Sequence, residues 1–176
     1  MADLGSAPVP PVDVRHDHVR GPAQAPLVLL YADFECPFCA ALDARLDGLQ
    51  LRVAFRHFPV RSSHPRAWAA ATAAEAAALQ GRFWAMHDAL FADPARLEDP
   101  HLWERARQLD LDLERFEADR RSDAARERVA RDFHSGVRGA VVTTPTAFAV
   151  GEDGRLQAVD RDAVSGLAAG RGPTGR

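Results

Sequence analysis

The sequence predicts an α/β fold in which an all-helical block interrupts a small sheet-bearing domain. Three observations carry that expectation. The continuous apolar run Pro26-Leu27-Val28-Leu29-Leu30-Tyr31-Ala32 reads as a central strand buried on both faces. A second run, Leu51-Arg52-Val53-Ala54-Phe55-Arg56-His57-Phe58, alternates with period two and stops at Pro59. A helical pattern lies between them, so the three form a βαβ unit with parallel strands. From Pro65 to Gly136 the pattern is helical almost throughout, before strand-like segments return.

In chain order, residues 1–11 are small and Pro-rich and are expected to be disordered, as is the tail 170–176. The helix of the βαβ unit is expected over Cys39–Leu49, with apolar residues at Ala40, Leu42, Leu46 and Leu49. In the helical block, Pro65 and Gly81 bracket a first helix, the proline suited to its first turn and the glycine to its stop. Phe83, Trp84, Met86, His87, Leu90 and Phe91 mark a second. Asp99-Pro100 opens a third, carrying Leu102, Trp103, Ala106 and Leu109. Ser122 caps a last one, in which Ala125, Val129 and Phe133 recur every fourth residue. The three tryptophans of this block are expected to fill the core.

Strands are then expected at Val137–Val142 and Thr146–Val150. Gly151-Glu152-Asp153-Gly154 turns the chain, and Leu156–Val159 pairs back as a hairpin. A closing helix runs from about Arg161 to Ala169. On this reading 12–62 and 137–169 form the sheet-bearing domain and 63–136 the helical insertion.

Composition narrows the function. A chain of 176 residues, 47% hydrophobic and 27% charged, suits one globular domain with a real core. The net charge of −3 gives no basis for nucleic-acid or anionic-membrane binding. All 22 basic residues are arginine, read as genome composition, and they scatter among acids as a solvated mixed-charge face. No apolar stretch approaches the roughly 18 residues of a spanning helix. The N-terminus has no basic start followed by an apolar segment, so a cytoplasmic protein is expected; a periplasmic or extracytoplasmic one requires a trimmed N-terminus.

The sharpest signal is Cys36-Pro37-Phe38-Cys39, the only two cysteines, preceded by Glu35. In a reducing compartment a close pair is more often catalytic or metal-binding than a structural disulfide. A sulfur placed where a strand ends and a helix begins meets free N–H groups and the helix dipole, which favour a thiolate. Cys36 is therefore expected to ionise below a free thiol, with Cys39 one turn on and able to close a disulfide. Pro37 suits the helix start because its missing N–H would be orphaned there. A metal site is the competing reading, but it needs four ligands and the pair supplies two. His57 and His64 are the candidates to complete it, although neither has ligand-like spacing. A second signal is Thr143-Thr144-Pro145-Thr146, where a proline opens a strand. It is a candidate cis peptide, against a trans proline at a sheet edge.

Together these features resemble the thioredoxin superfamily, and within it the DsbA-like branch, from about Asp17 to Val159. HVRGPAQAPLVLLYADFECPFC is similar to that branch's opening strand and active site. FRHFPVRSSHPRAWAAATAAEAAALQGRFWAMHDALF resembles its second strand and first inserted helices, and SGVRGAVVTTPTAF its approach to the cis-proline loop. Similar domains occur alone and fused to sodium/proton antiporters, and nothing in this sequence indicates an attached transporter. The resemblance implies a thioredoxin-like fold with the helices as a cap beside the site. It implies that Cys36 is the nucleophile, Cys39 the resolving thiol and Pro145 a cis-proline, with Thr144 offering its backbone to an extended substrate. The Cys36–Cys39 disulfide would be the redox group, with no separate cofactor and no metal. Partners would be polypeptide or small-molecule disulfides and a recycling thiol or reductase.

Three departures stand out. Relatives usually carry a buried glutamate six residues before the first cysteine, where this chain has Leu30; Glu35 points differently along the chain. Thr143 replaces a customary glycine, and the turn GEDG replaces Asn-Gly. Phe38 stands where the strongest oxidants have histidine, so a potential less oxidising than the ~−120 mV of DsbA is expected. Two other functions share such a scaffold. Glutathione-dependent transferases or isomerases generally have serine for the first cysteine, and a redox switch would oxidise reversibly without turnover.

Overall fold

Strand β2 (Leu27–Ala32) is the central strand of a five-stranded sheet, since its unbroken apolar run needs cover on both faces. Val28, Leu29 and Tyr31 have no exposed surface. The computed structural model describes residues 7–169. Beside β2 lies β3 (Arg52–His57), parallel to it, with Leu30 level with Phe55. The connection between them is α1 (Pro37–Leu46), completing the expected βαβ unit. On β2's other side lies antiparallel β4 (Thr146–Val150), hairpin-linked to β5 (Leu156–Val159). A three-residue strand, β1 (His18–Arg20), runs antiparallel to β3, giving the order β1-β3-β2-β4-β5.

Helix α1 begins two residues earlier than the periodicity predicts and ends three earlier. Pro37 can be helical without an N–H, and Gly48 at φ +73 takes the chain into the left-handed region before Leu49. The insertion contains five helices where the pattern shows four: α2 (Ala67–Ala78), α3 (Phe83–Ala92), α4 (Asp99–Gln108), α5 (Leu113–Arg120) and α6 (Asp123–Arg138). The unforeseen α5 is eight residues long with Phe116 as its one buried apolar side chain, too little to display a periodic face. Its cap, Asp112 accepting from the Arg115 amide, is the local signal that marks it. Pro65 lies before α2 instead of in its first turn, whereas Gly81 ends that helix at φ +72, as expected.

The strand expected at Val137–Val142 does not form. Helix α6 runs through Arg138, Ala140 turns at φ +60, and the Val141 amide bonds back to the Gly136 carbonyl. That back-bond is a helix stop, and it buries Val141 while leaving Val142 at 87% exposure. The closing helix α7 spans Arg161–Leu167.

Three apolar layers result. Val28, Leu30, Leu42, Leu46 and Val164 pack between the sheet and α1 with α7. Leu29, Tyr31, Phe58 and Phe133 pack between its other face and α6. Gly136 permits that approach: a Cβ there would lie 2.7 Å from the Phe58 ring and 3.0 Å from Tyr31. The third layer joins the cysteines to the insertion: Phe34, Cys36, Cys39 and Phe55 share one cluster with Ala73, Phe83, Met86, Leu90 and Phe116. Of the tryptophans expected in the core, Trp84 packs against this third layer, but none is fully buried. Trp68 and Trp84 are half-buried and Trp103 is exposed, each holding a polar tip or an arginine at the rim.

Some charges expected on a solvated face are buried instead. Arg56 pairs with Asp17 at 2.8 Å and donates to the carbonyls of Pro10 and Pro11, each at 2.8 Å. Residues 10 and 11, within the segment expected to be disordered, are thus held by a buried guanidinium that needs acceptors. The remaining residues of that expectation, 1–6 and 170–176, lie outside the described residues.

Glu75 of α2 ties the insertion to the sheet. One of its carboxylate oxygens accepts from His57 Nε2 of β3 at 2.6 Å and from His18 Nε2 of β1 at 2.7 Å. Replacing Glu75 by alanine strands two imidazole donors, His57 buried and His18 half-buried. Chemical unfolding should register a loss of about 3 kcal/mol, with Glu75→Gln recovering part of it; an unchanged midpoint for Glu75→Ala would refute this role.

Candidate active site

Cys36 is the N-cap of α1, extended at φ −82 and ψ 117, with Pro37 as the first helical residue. Its carbonyl accepts from the amides of Cys39 at 3.0 Å and Ala40 at 3.2 Å, which places Cys39 one turn on. Both cysteines are free thiols and buried, at 3% and 2% exposure. Across the site, the loop before β4 brings up Thr144, whose carbonyl accepts the Cys36 S–H at 3.5 Å. The peptide between Thr144 and Pro145 is cis. Cys36, Cys39 and Thr144, with Pro145 next to Thr144, therefore meet across 108 residues of chain.

The environment drives the two sulfurs apart in acidity. The Cys36 thiol is lowered to about 5, chiefly by hydrogen bonding from Cys39, against the cost of burial. The Thr144 side chain and the backbone amides of Cys39 and Phe38 at the helix start add to the lowering. Cys39 is pushed far above an ordinary thiol, first by burial and then by its donation to Cys36.

The other expected residues divide. Phe38 stands out at 59% exposure, its ring 5.3 Å from the guanidinium carbon of Arg161. Glu35 faces the start of α2, accepting from the Arg66 amide at 2.6 Å and from its guanidinium at 3.3 Å. Leu30 packs in the apolar layer under α1 and α7, so no carboxylate occupies that position. Thr143 keeps a role in the loop, its carbonyl accepting from the Thr146 hydroxyl at 2.7 Å.

The residue that sequence reasoning missed is Asp33. Its amide donates to Cys39 Sγ at 3.4 Å and its carbonyl accepts from the Cys36 amide at 3.1 Å. Its carboxylate, without exposed surface, accepts from the amides of Glu35 and Val60 and from His64 Nδ1, each at 2.8 Å. An aspartate at a strand end, three residues before a helix cap, is the sequence signal that was available.

His57 and His64, weighed as metal ligands, have other partners. His64 is bonded to Asp33 and His57 to Glu75. Among the described residues, two groups place three potential ligand atoms within 4.8 Å of one another, His18–His57–Glu75 and Asp43–His87–Asp88, and neither contains a cysteine. In the second, the Arg20 guanidinium already bridges Asp43 and Asp88.

A family model described as thioredoxin matches residues 13–163. The chain is 45% identical over 150 residues to the Na(+)/H(+) antiporter NhaA 3 of Salinispora tropica, covering 80% of this chain and 22% of that protein. It is 45% identical over 157 residues to the Na(+)/H(+) antiporter NhaA of Herminiimonas arsenicoxydans, covering 85% and 25%. The chain thus spans about a quarter of the length of these curated relatives. No helix among the described residues is long and apolar enough to cross a membrane. Among solved structures, it superposes on a thioredoxin-like oxidoreductase from Silicibacter pomeroyi DSS-3 with TM-score 0.73 and 23% identity, covering 88% of this chain and 91% of the other. It also superposes on oxidised BdbD from Bacillus subtilis with TM-score 0.72 and 17% identity, covering 94% and 97%. At these identities the likeness is one of fold.

The split acidity is directly measurable. Alkylation of Cys36 by iodoacetamide should titrate with a midpoint near pH 5, while Cys39 stays unreactive into the alkaline range. Cys39→Ala, which removes the main donor, should move that midpoint upward. A wild-type midpoint at the free-thiol value of about 8.5 would contradict the geometry.

Proposed function

The chain belongs to the thioredoxin family, and on that premise we propose that it is a thiol–disulfide oxidoreductase with Cys36 as nucleophile and Cys39 as resolving thiol. The observation that carries this reading is the opposite displacement of two adjacent thiols at one helix start. At neutral pH it leaves Cys36 as thiolate and Cys39 protonated.

In the reducing direction the Cys36 thiolate attacks one sulfur of a substrate disulfide. The S–S bond breaks, a mixed disulfide forms, and the other substrate sulfur leaves as thiolate. Cys39 then gives up its proton and attacks Cys36 Sγ, releasing the second substrate thiol and closing the Cys36–Cys39 disulfide. Oxidation of a substrate is the same sequence reversed. The disulfide is the whole redox group, so the proposal needs no separate cofactor, only a partner thiol or reductase to recharge it. Which direction dominates follows from that partner and from the poise of the compartment.

Thr144 and Pro145 form the wall that a substrate meets beside Cys36. We assign to the Thr144 backbone the pairing with an extended substrate segment, as in strand addition to an open edge. The structural likeness to a thioredoxin-like oxidoreductase and to BdbD supports this reading at the level of fold.

Reduction of insulin by dithiothreitol is the test. Wild-type protein should accelerate insulin precipitation, Cys36→Ser should fall to the uncatalysed rate, and Cys39→Ser should accumulate mixed disulfides with its substrates. Full activity in Cys36→Ser would overturn the proposal. Reversible oxidation without turnover would replace it with a redox switch.

A further inference from the structure

Resting on that reading, we propose that Arg161 is a specificity-determining residue, favouring substrates with a carboxylate beside the reactive cysteine. Phe38, between the two cysteines, is exposed, and Arg161 at the start of α7 lies over its ring. A guanidinium parked on an aromatic face is positioned at little entropic cost and still presents a free fork of donors.

Neighbouring charges are already committed. Asp160 accepts from the amides of Asp162 and Ala163, capping α7, and Asp162 pairs with Arg45 at 2.9 Å. Glu35, the acid nearest the cysteines in sequence, is taken by Arg66, which also pairs with Glu98 at 2.7 Å. Among the described residues Arg161 has no carboxylate within ion-pair distance, unlike Arg45 and Arg66. The rim thus joins an exposed apolar ring and an available cation. A peptide that brings its sulfur to Cys36 passes beside Phe38, so a glutamate next to its cysteine reaches the guanidinium. The fit is to an acidic peptide disulfide.

The test uses the full reduced chain and two blocked peptides. They differ only in having Glu or Gln next to a cysteine carried as its 2-thiopyridyl disulfide, and release of 2-thiopyridone gives the rate constants. For an exposed ion pair the Glu:Gln rate ratio should be about threefold at low salt. It should fall to about one in 1 M salt and in Arg161→Gln, and below one in Arg161→Glu. A wild-type ratio of one overturns the inference. So does a ratio that survives Arg161→Gln, including the case where both rates fall together, which would place the arginine's effect on Cys36 itself. Failure of both peptides to react with wild type, or equal reaction by Cys36→Ser, overturns the oxidoreductase reading and the inference with it.

Discussion

Asp33 holds both cysteines through its backbone and the surrounding loops through its side chain. A carboxylate with no exposed surface is costly unless donors replace its water, and here two amides and an imidazole do so. In return, the chain leaving β2 has one available path into α1. The Cys36 amide is fixed on the Asp33 carbonyl and the Cys39 sulfur is fixed against the Asp33 amide. The direction of the helix start, and with it the set of amides facing Cys36, follows from that turn.

From this geometry comes the asymmetry between two chemically identical groups. The Cys39 thiol is buried and donates to the Cys36 sulfur, which holds its proton in place. That donation is also the largest contribution to the acidity of Cys36. Once Cys36 is tied up in a mixed disulfide its negative charge is gone, and with it the like-charge penalty on ionising Cys39. In the proposed exchange, Cys39 is thereby released by the step that precedes its use. Burial remains to be overcome, and Leu30 offers no carboxylate to help, so proton loss from Cys39 is where slow resolution is expected.

Much of this was legible because it is local. A strand buried on both faces, a proline able to start a helix, a glycine stopping α2 at positive φ and a CxxC at a strand–helix junction each obey rules spanning a few residues. What was not legible depends on partners far along the chain. The apolar residues of Val137–Val142 suit a strand until Gly136 is seen packed against Phe58, with α6 carried on into the first two of those residues, through Arg138. β1 is a strand only because β3 pairs with it. Asp33 and Glu35 look alike in sequence, yet one turns inward to His64 and the other out to Arg66.

The contiguous insertion of the sequence is not a separate body in space. Its alanine-rich α2 brings backbone close to the active-site layer, where Ala70, Ala73, Ala74 and Ala77 share one cluster with Phe34, Cys36 and Cys39. Its polar links point the same way, since Glu35 anchors the start of α2 and Glu75 anchors its middle to β1 and β3. A helical block bound this tightly cannot drift without disturbing the turn at Asp33, because His64 and Arg66, just ahead of α2, are bonded to Asp33 and Glu35 within that turn. In the proposed exchange a substrate meets Phe38 and Arg161, which are exposed beside the cysteine motif.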